Sequence, residues 1–294
     1  MTYEIFIGDR TFSSWSLRGW LMLEKFGMPF KTSTLSLYDG SFRAALEPLA
    51  PARLVPVLRC ADGTVIGETL AIAEELNSRH PEAQMWPADP KARAFARWIS
   101  AEMHAGFMAL RSECPMQLEH TYLDFPVSEE VQADLDRIED LWTRARSSFG
   151  AEGPWLFGHY SLADAFYAPI AARIAGHGLP VGTLAQAYVD TTLADPAFRR
   201  WRALGLTRSF DPSPYPMGHA RTDWAGPKVL PARAVAEGPS FNANCPYSGK
   251  PVQDYLELDG TVYGLCNPTC RDKTVYDAAA WPAFTALVAE HSDA

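Results

Sequence analysis

Apolar positions in the first 80 residues switch repeatedly between a period of two and one near 3.6, the signatures of strand and helix. Tyr3–Ile7 reads as a short buried strand. Leu17, Trp20, Leu21 and Leu23 recur at helical spacing up to Phe26, and Gly27-Met28-Pro29 then supplies a C-cap glycine and a proline stop. Residues 30–37 carry a weaker strand signal. The segments 55–59 and 64–66 flank Ala61-Asp62-Gly63, a hairpin turn. A helix is expected over 69–78 with Thr69 as its N-cap. This β-α-β, then β-β-α order predicts a small mixed sheet with helices on its faces.

From residue 90 to about 210 the pattern is helical. Phe95, Trp98, Ile99, Glu102, Met103, Gly106, Phe107 and Leu110 mark successive turns of one long helix, and Val131, Leu135, Ile138, Leu141 and Trp142 mark another. Ser161-Leu162-Ala163-Asp164 has the form of a capping box, with Tyr160 as a staple residue, and opens an apolar helix over 163–175. A last short helix is expected over 198–206. Residues 211–240 hold six prolines and three glycines without periodicity, and are expected to wrap over the preceding domain as an extended linker. The expected organisation is α/β plus all-α: a mixed-sheet domain over 1–82, a helical-bundle domain over 90–210, a linker over 211–240 and a small module over 241–294.

Composition narrows the function classes. The 294 residues are 47% hydrophobic and 21% charged, ordinary for a folded chain. With 26 Lys+Arg against 35 Asp+Glu the formal net charge is −9, a poor match for nucleic acid or an anionic membrane. The opening MTYEIFIGDR carries Glu4 and no apolar run of the signal-peptide kind, so a cytoplasmic compartment is the expectation. Five cysteines are an odd number for a disulfide framework, and three of them crowd the C-terminal module.

Three features of the first domain have convergent chemistry. Thr11-Phe12-Ser13-Ser14-Trp15-Ser16 lies between the first strand and the first helix, where hydroxyls and the helix dipole can stabilise an anion such as a thiolate. Leu54-Val55-Pro56-Val57 puts a proline at a strand start; a cis bond there would expose the Val55 backbone to an extended peptide. Gly67-Glu68-Thr69 precedes a helix, so Glu68 can take an α-amino group while Thr69 takes the adjacent carboxylate. Taken singly, each also reads as ordinary capping or strand-edge sequence. Their order and spacing give them weight.

On FSSWSLRGWLMLEKFGMPF, LVPVL, GETLAIAEEL and SLADAFYAPI, the chain over roughly 1–210 resembles the glutathione transferase family, in its serine-type, zeta-like form. The resemblance implies a thioredoxin-like domain followed by a helical domain, a homodimer, and glutathione as co-substrate. By motif position Ser13 matches the residue that activates the thiol, with Ser14 the runner-up and Ser16 inside the helix. Leu54, Val55, Glu68 and Thr69 match the glutathione-binding stretch and Pro56 the cis proline; the family more often has Ser where Thr69 stands. Asp164 resembles a structural capping residue. Tyr3 is a weaker alternative activator, because it lies within the first strand. The electrophile pocket is expected beside Ser13, lined by Trp15, Met103, Phe107 and Met108, with His104 as an acid or base. The competing reading of Met103 and Phe107 is plain core, and of His104 a packing or surface residue.

The C-terminal module places Cys245, Cys266 and Cys270 at C-x20-C-x3-C spacing, with Asp259-Gly260 turning a hairpin between them. Thiolates brought together in this way suit a structural zinc. Through CPYSGKPV and YGLCNPTCRDK the module resembles the small YHS and TRASH metal-binding domains, of treble-clef-like build. Ser248 stands where four-cysteine relatives carry another cysteine, so the fourth ligand is open among water, Asp272 and His219. The alternative is an appendage with free thiols and no metal. With three basic and seven acidic residues in 241–294, a net of −4, the module is not built for nucleic acid. The functional expectation is transfer, isomerisation or peroxide reduction by an activated glutathione thiol. The alternative is a non-catalytic glutathione-fold protein that senses metal or redox state.

Overall fold

The computed structural model describes residues 2–208, 215 and 217–292. The chain packs as two units: residues 1–193 with 212–226, and residues 194–211 with 227–294.

The first unit begins with β1 (Tyr3–Ile7), α1 (Ser14–Lys25), β2 (Phe30–Thr34), the short α2 (Phe42–Leu46), the hairpin β3 (Val57–Arg59) and β4 (Val65–Ile66), and α3 (Thr69–Arg79). The sheet order is β2-β1-β3-β4, with β1 and β2 parallel and the other pairs antiparallel. This is the thioredoxin-like domain that the family resemblance implies, and its mixed sheet is the one the alternating periods predict. Tyr3, Ile5 and Ile7 bury one face of β1, and α1 lies close to Ile5 and Pro56. Gly19 permits that approach: a Cβ there would meet Pro56 Cγ at 2.8 Å. Glu68, not Thr69, caps α3; its backbone sits at φ +62° and Thr69 is the first helical residue.

The helical part comprises α4 (Pro90–Ala105), α5 (Met108–Glu113), α6 (Glu129–Phe149), α7 (Leu162–His177) and α8 (Thr183–Ala194). The expected long helix is broken. Gly106 is extended and Phe107 takes the left-handed conformation at φ +56°, so α4 and α5 are separate. A two-residue strand, β5 (Thr121–Tyr122), also appears; it pairs with β6 (Arg221–Thr222) from within the expected linker. Every residue of α7 is buried, and α1 and α4 pack against it.

Asp164 holds the start of α7. Its carboxylate accepts from the Leu156 and Ser161 N–H groups at 3.1 and 2.8 Å and from the Tyr188 hydroxyl at 3.1 Å. Burial pushes its carboxyl up to about 6 despite these donors. Asp164→Ala leaves these donors, and the Ser161 hydroxyl that donates at 3.1 Å, buried without the carboxylate, at about 1–3 kcal/mol each. A loss of at least ~3 kcal/mol is therefore expected in chemical denaturation, with Asp164→Asn milder because one oxygen remains. A loss below ~1 kcal/mol would contradict the structural role.

The second unit contains α9 (Pro196–Leu206), the antiparallel sheet β7 (Arg233–Val235), β8 (Asp254–Leu258) and β9 (Thr261–Leu265), and the helices α10 (Pro268–Tyr276) and α11 (Pro282–Ser292). Here the structure departs from the expected domain plan. Helix α9 packs with the C-terminal module: Ala203 joins Leu256, Leu258, Tyr263, Leu265 and Phe284 in one core, and Arg199 makes a two-pronged ion pair with Asp277 at 2.6 and 2.8 Å. The expected linker is likewise partly ordered into β6 and β7; its start, 211–214, and residues 209, 210 and 216 lie outside the described residues. Among the described residues no helix is long and apolar enough to cross a membrane.

Candidate functional site

A cavity of about 590 Å³ in the first unit collects the three features that are dispersed in sequence. Ser13, Ser14 and Trp15 come from the start of α1, Leu54, Val55 and Pro56 from the turn before β3, and Glu68 and Thr69 from the start of α3. The Val55–Pro56 bond is cis, and Val55 precedes the paired residues of β3.

Ser13 is the N-cap of α1. Its Oγ lies 2.7 Å from Ser16 Oγ, which is fully buried and accepts the Gly8 N–H at 2.9 Å. In this pair Ser13 donates to Ser16. Hydroxyl protons rotate to suit their partners, so the Ser13 proton can turn to a ligand while Ser16 donates in its place. Ser14 is buried and accepts a long 3.4 Å contact from Arg173 Nη2. Tyr3 stands apart from the cavity lining, its hydroxyl 2.7 Å from His80 Nε2.

Glu68 is a non-glycine residue held in left-handed conformation, a costly state that persists at sites where surrounding structure enforces it. His104, from α4, bridges the two residues of this corner: Nε2 is 3.4 Å from the Glu68 carboxylate and Nδ1 is 3.4 Å from Thr69 Oγ1. Burial, with Arg18 nearby, lowers the His104 pKa and favours the neutral imidazole. His104 is thus absent from the cavity lining and braces the Glu68–Thr69 corner. Met103 and Phe107 are also absent from the lining; both are buried core, because the break at Gly106 turns the chain there. Trp15 and Met108 do line it, joined by Met116, Arg111, Arg173, Tyr38 and Tyr215.

Cationic groups dominate the wall behind Trp15. Arg111 lies 4.2 Å and Arg18 4.8 Å from the centroid of the Trp15 ring, close enough for cation–π contact. Arg173 is buried apart from its place in the lining, and burial lowers its pKa to about 10. Arg18 is fully buried, and its guanidinium nitrogens have no hydrogen-bond partner among the described residues. One sequence signal for this wall was available: an arginine in the middle of the largely apolar α7 must be there for a partner or a ligand.

Residues 12–79 match the family of glutathione S-transferase N-terminal domains. This stretch carries Ser13, Val55, Pro56, Glu68 and Thr69. The chain is also 36% identical over 109 residues to a probable maleylacetoacetate isomerase of Caenorhabditis elegans, covering 37% of this chain and 50% of that one. To the maleylacetoacetate isomerase of Rattus norvegicus it is 34% identical over 106 residues, covering 35% and 48%. It spans about half the length of these curated relatives. Among solved structures, a glutathione transferase homologue from Burkholderia with bound glutathione aligns at a TM-score of 0.55 and 23% identity, covering 71% of this chain and 100% of that one. Ure2p in complex with glutathione aligns at 0.53 and 19%, covering 67% and 96%. These two likenesses extend the match in fold from the N-terminal domain into the helical part.

The second unit carries the other cluster. The Cys245, Cys266 and Cys270 sulfurs all lie within 4.8 Å of one another, with Cys266 and Cys270 3.8 Å apart. A turn places Cys245, which is buried, where its N–H donates to Lys250 O, and Asn267 caps α10 so that Cys270 sits in its first turn. Ser248 Oγ donates to Cys266 Sγ at 3.2 Å. Burial opposes ionisation of Cys245, yet N–H groups of Tyr247 and Cys266 draw its thiol down to about 7. Lys273 holds its ammonium 3.6 Å from the Tyr247 ring centroid and 3.9 Å from that of Trp281, and its charge interacts with all three cysteines. His219 takes no part: it packs in the first unit, 5.1 Å from the Phe125 ring. Asp272 is paired with Arg271 at 2.7 Å.

Proposed function

We propose that the protein is a glutathione transferase that activates the glutathione thiol for attack on an electrophilic small molecule. The observation that carries this reading is the convergence of Ser13, Val55, cis Pro56, Glu68 and Thr69 on one cavity of about 590 Å³, within the usual range for small-ligand sites. Glu68 takes the α-amino group of the γ-glutamyl end, and Thr69, at the first turn of α3, takes its carboxylate. The Val55 backbone pairs with the cysteinyl residue. The sulfur then falls at the N-terminus of α1, beside Ser13. The assembly is a homodimer in the cytoplasm, in keeping with the family resemblance.

The chemistry is conjugation, isomerisation or peroxide reduction, and the arginines favour isomerisation of an unsaturated acid. Two relatives are named for isomerising maleylacetoacetate, a carboxylate. Arg111 and Arg173 on the cavity wall would hold such an anion, and among the described residues Glu68 is the one acidic side chain of the lining.

Calorimetry with glutathione tests the reading. The unmodified protein should bind it, and Glu68→Ala should weaken binding tenfold or more, since a hydrogen bond to a charged group contributes about 1.5–3 kcal/mol. No binding to the unmodified protein would end the reading.

A second proposal concerns the thiol cluster: Cys245, Cys266 and Cys270 hold one zinc ion. The residues fit. Tetrahedral zinc with Zn–S bonds of about 2.3 Å sets its sulfurs about 3.8 Å apart, the separation of Cys266 and Cys270. Zinc would lock the Cys245 turn, β9 and α10 together, and water or the Ser248 hydroxyl would complete its shell. Three thiolates, Lys273 and a divalent ion sum to zero charge, which lowers the desolvation cost of the cluster. The competing functional reading, a non-catalytic glutathione-fold sensor, draws on this cluster, which conjugation does not need. Turnover of 1-chloro-2,4-dinitrobenzene or a hydroperoxide distinguishes the two.

A further inference from the structure

Among the described residues that follow the helical part, Tyr215 places its side chain in the cavity. Residues 212–226 pack with the first unit. Their described part is anchored by the pairing of β6 with β5, by the Leu123 N–H donating to Ala220 O at 2.8 Å, and by the Ala225 N–H donating to Thr121 Oγ1 at 3.1 Å. Ahead of this anchor, Tyr215 lines the cavity that also holds Ser13 and Glu68. Its ring stands edge-on to Phe12, with centroids 6.1 Å apart. Its hydroxyl accepts a hydrogen bond from Tyr38 at 3.1 Å, and the two phenols come from chain positions 177 residues apart. Both side chains remain partly exposed, at 41% and 45%, so both can meet a ligand that enters the cavity.

We propose that Tyr215 is a specificity-determining residue of this site, closing the electrophile side of the cavity with its ring and donating a hydrogen bond from its hydroxyl to an acceptor oxygen on the electrophile. Two physical points support the assignment. A phenol whose oxygen already accepts a hydrogen bond is the stronger donor, so Tyr38 polarises Tyr215 toward the ligand. An aromatic ring with a polar tip also suits a wall that is apolar at Phe12 and cationic at Arg173. The favoured electrophiles are thus those with a carbonyl, nitro or carboxylate oxygen beyond the reacting carbon. This inference rests on the proposed glutathione site and deepens it.

The test measures affinities of three probes for the full chain by calorimetry: glutathione, S-hexylglutathione and S-(p-nitrobenzyl)glutathione. The hexyl chain offers no acceptor and the nitro group does. Tyr215→Phe should weaken the nitrobenzyl conjugate about threefold to tenfold, the range for one neutral hydrogen bond, and leave the other two within twofold. Tyr38→Phe should give a smaller loss on the same probe alone. Tyr215→Ala should weaken both conjugates, by removing the wall, and spare glutathione. The inference is overturned if both Tyr215 variants keep all three affinities within twofold, or if glutathione weakens as much as its conjugates, which would make Tyr215 a structural residue. Failure of the unmodified protein to bind glutathione at all is a separate result; it removes the site reading and this inference with it.

Discussion

Replacing Ser13 by alanine is expected to lower turnover at neutral pH roughly tenfold to a hundredfold while glutathione affinity changes little. The hydroxyl meets sulfur only as a hydrogen-bond donor, and a donor favours the thiolate over the thiol. A hydrogen bond to a charged group contributes about 1.5–3 kcal/mol, equivalent to about 1–2 pH units in the thiol pKa. The sign follows directly: losing the donor raises the pKa of bound glutathione, so the acid limb of the pH–rate profile moves to higher pH. Above the new pKa, rates should approach those of the unmodified protein. Activity should not vanish, because the α1 N-terminus and the buried guanidinium of Arg18 still favour negative charge nearby. Ser16→Ala should reproduce part of the effect, since it removes the partner that holds the Ser13 hydroxyl at 2.7 Å. If Ser14→Ala shifts the profile and Ser13→Ala does not, the activating residue is Ser14. An unshifted profile in both variants would leave thiolate stabilisation to the helix and the arginines.

The contrast between what the sequence discloses here and what it conceals has a physical origin. Strand β1, helix α1 and the β3–β4 hairpin are local: their periodicity and their turn residues, Gly27 and Gly63, lie within the segment they shape. Candidate ligand-holding groups at Ser13, Val55 and Glu68 are also legible, because each sits at an element boundary where backbone groups face outward. The break between α4 and α5 is not legible. Apolar spacing runs on through Met103, Phe107 and Leu110, and the extended Gly106 with the left-handed Phe107 separates two helices that share one buried stripe. Membership of α9 in the second unit depends on Arg199 meeting Asp277, 78 residues away. The cavity wall is harder still. Arg111 from α5, Arg173 from α7 and Tyr215 from outside any helix or strand carry no common motif, and they assemble only through tertiary packing.

Removing metal from the purified protein is expected to unfold the second unit and spare the first. Structural zinc contributes on the order of 10 kcal/mol to the folding of small domains, a sum comparable to the entire stability of a domain. The thiol cluster ties three otherwise separate pieces: the Cys245 turn, the end of β9 through Cys266, and α10 through Cys270. The surrounding core is modest, built chiefly on Leu256, Leu258, Tyr263, Leu265 and Phe284. Without the ion, three sulfurs and the Lys273 ammonium are left packed together with no divalent charge to balance the thiolates. Protein prepared without added metal or chelator should carry one zinc per chain. Chelation, or Cys266→Ser, should abolish hydrogen-exchange protection across β8, β9 and α10. Glutathione affinity should stay within twofold, because every described residue that lines the glutathione cavity belongs to the first unit. Ser248→Cys should tighten zinc binding by tenfold or more, since the Ser248 oxygen already lies 3.2 Å from Cys266 Sγ and a thiolate there completes a four-sulfur shell. Zinc-free protein with three freely titrating thiols and full protection in β8, β9 and α10 would refute the metal site. The second unit would then owe its fold to α9 and the Arg199–Asp277 pair.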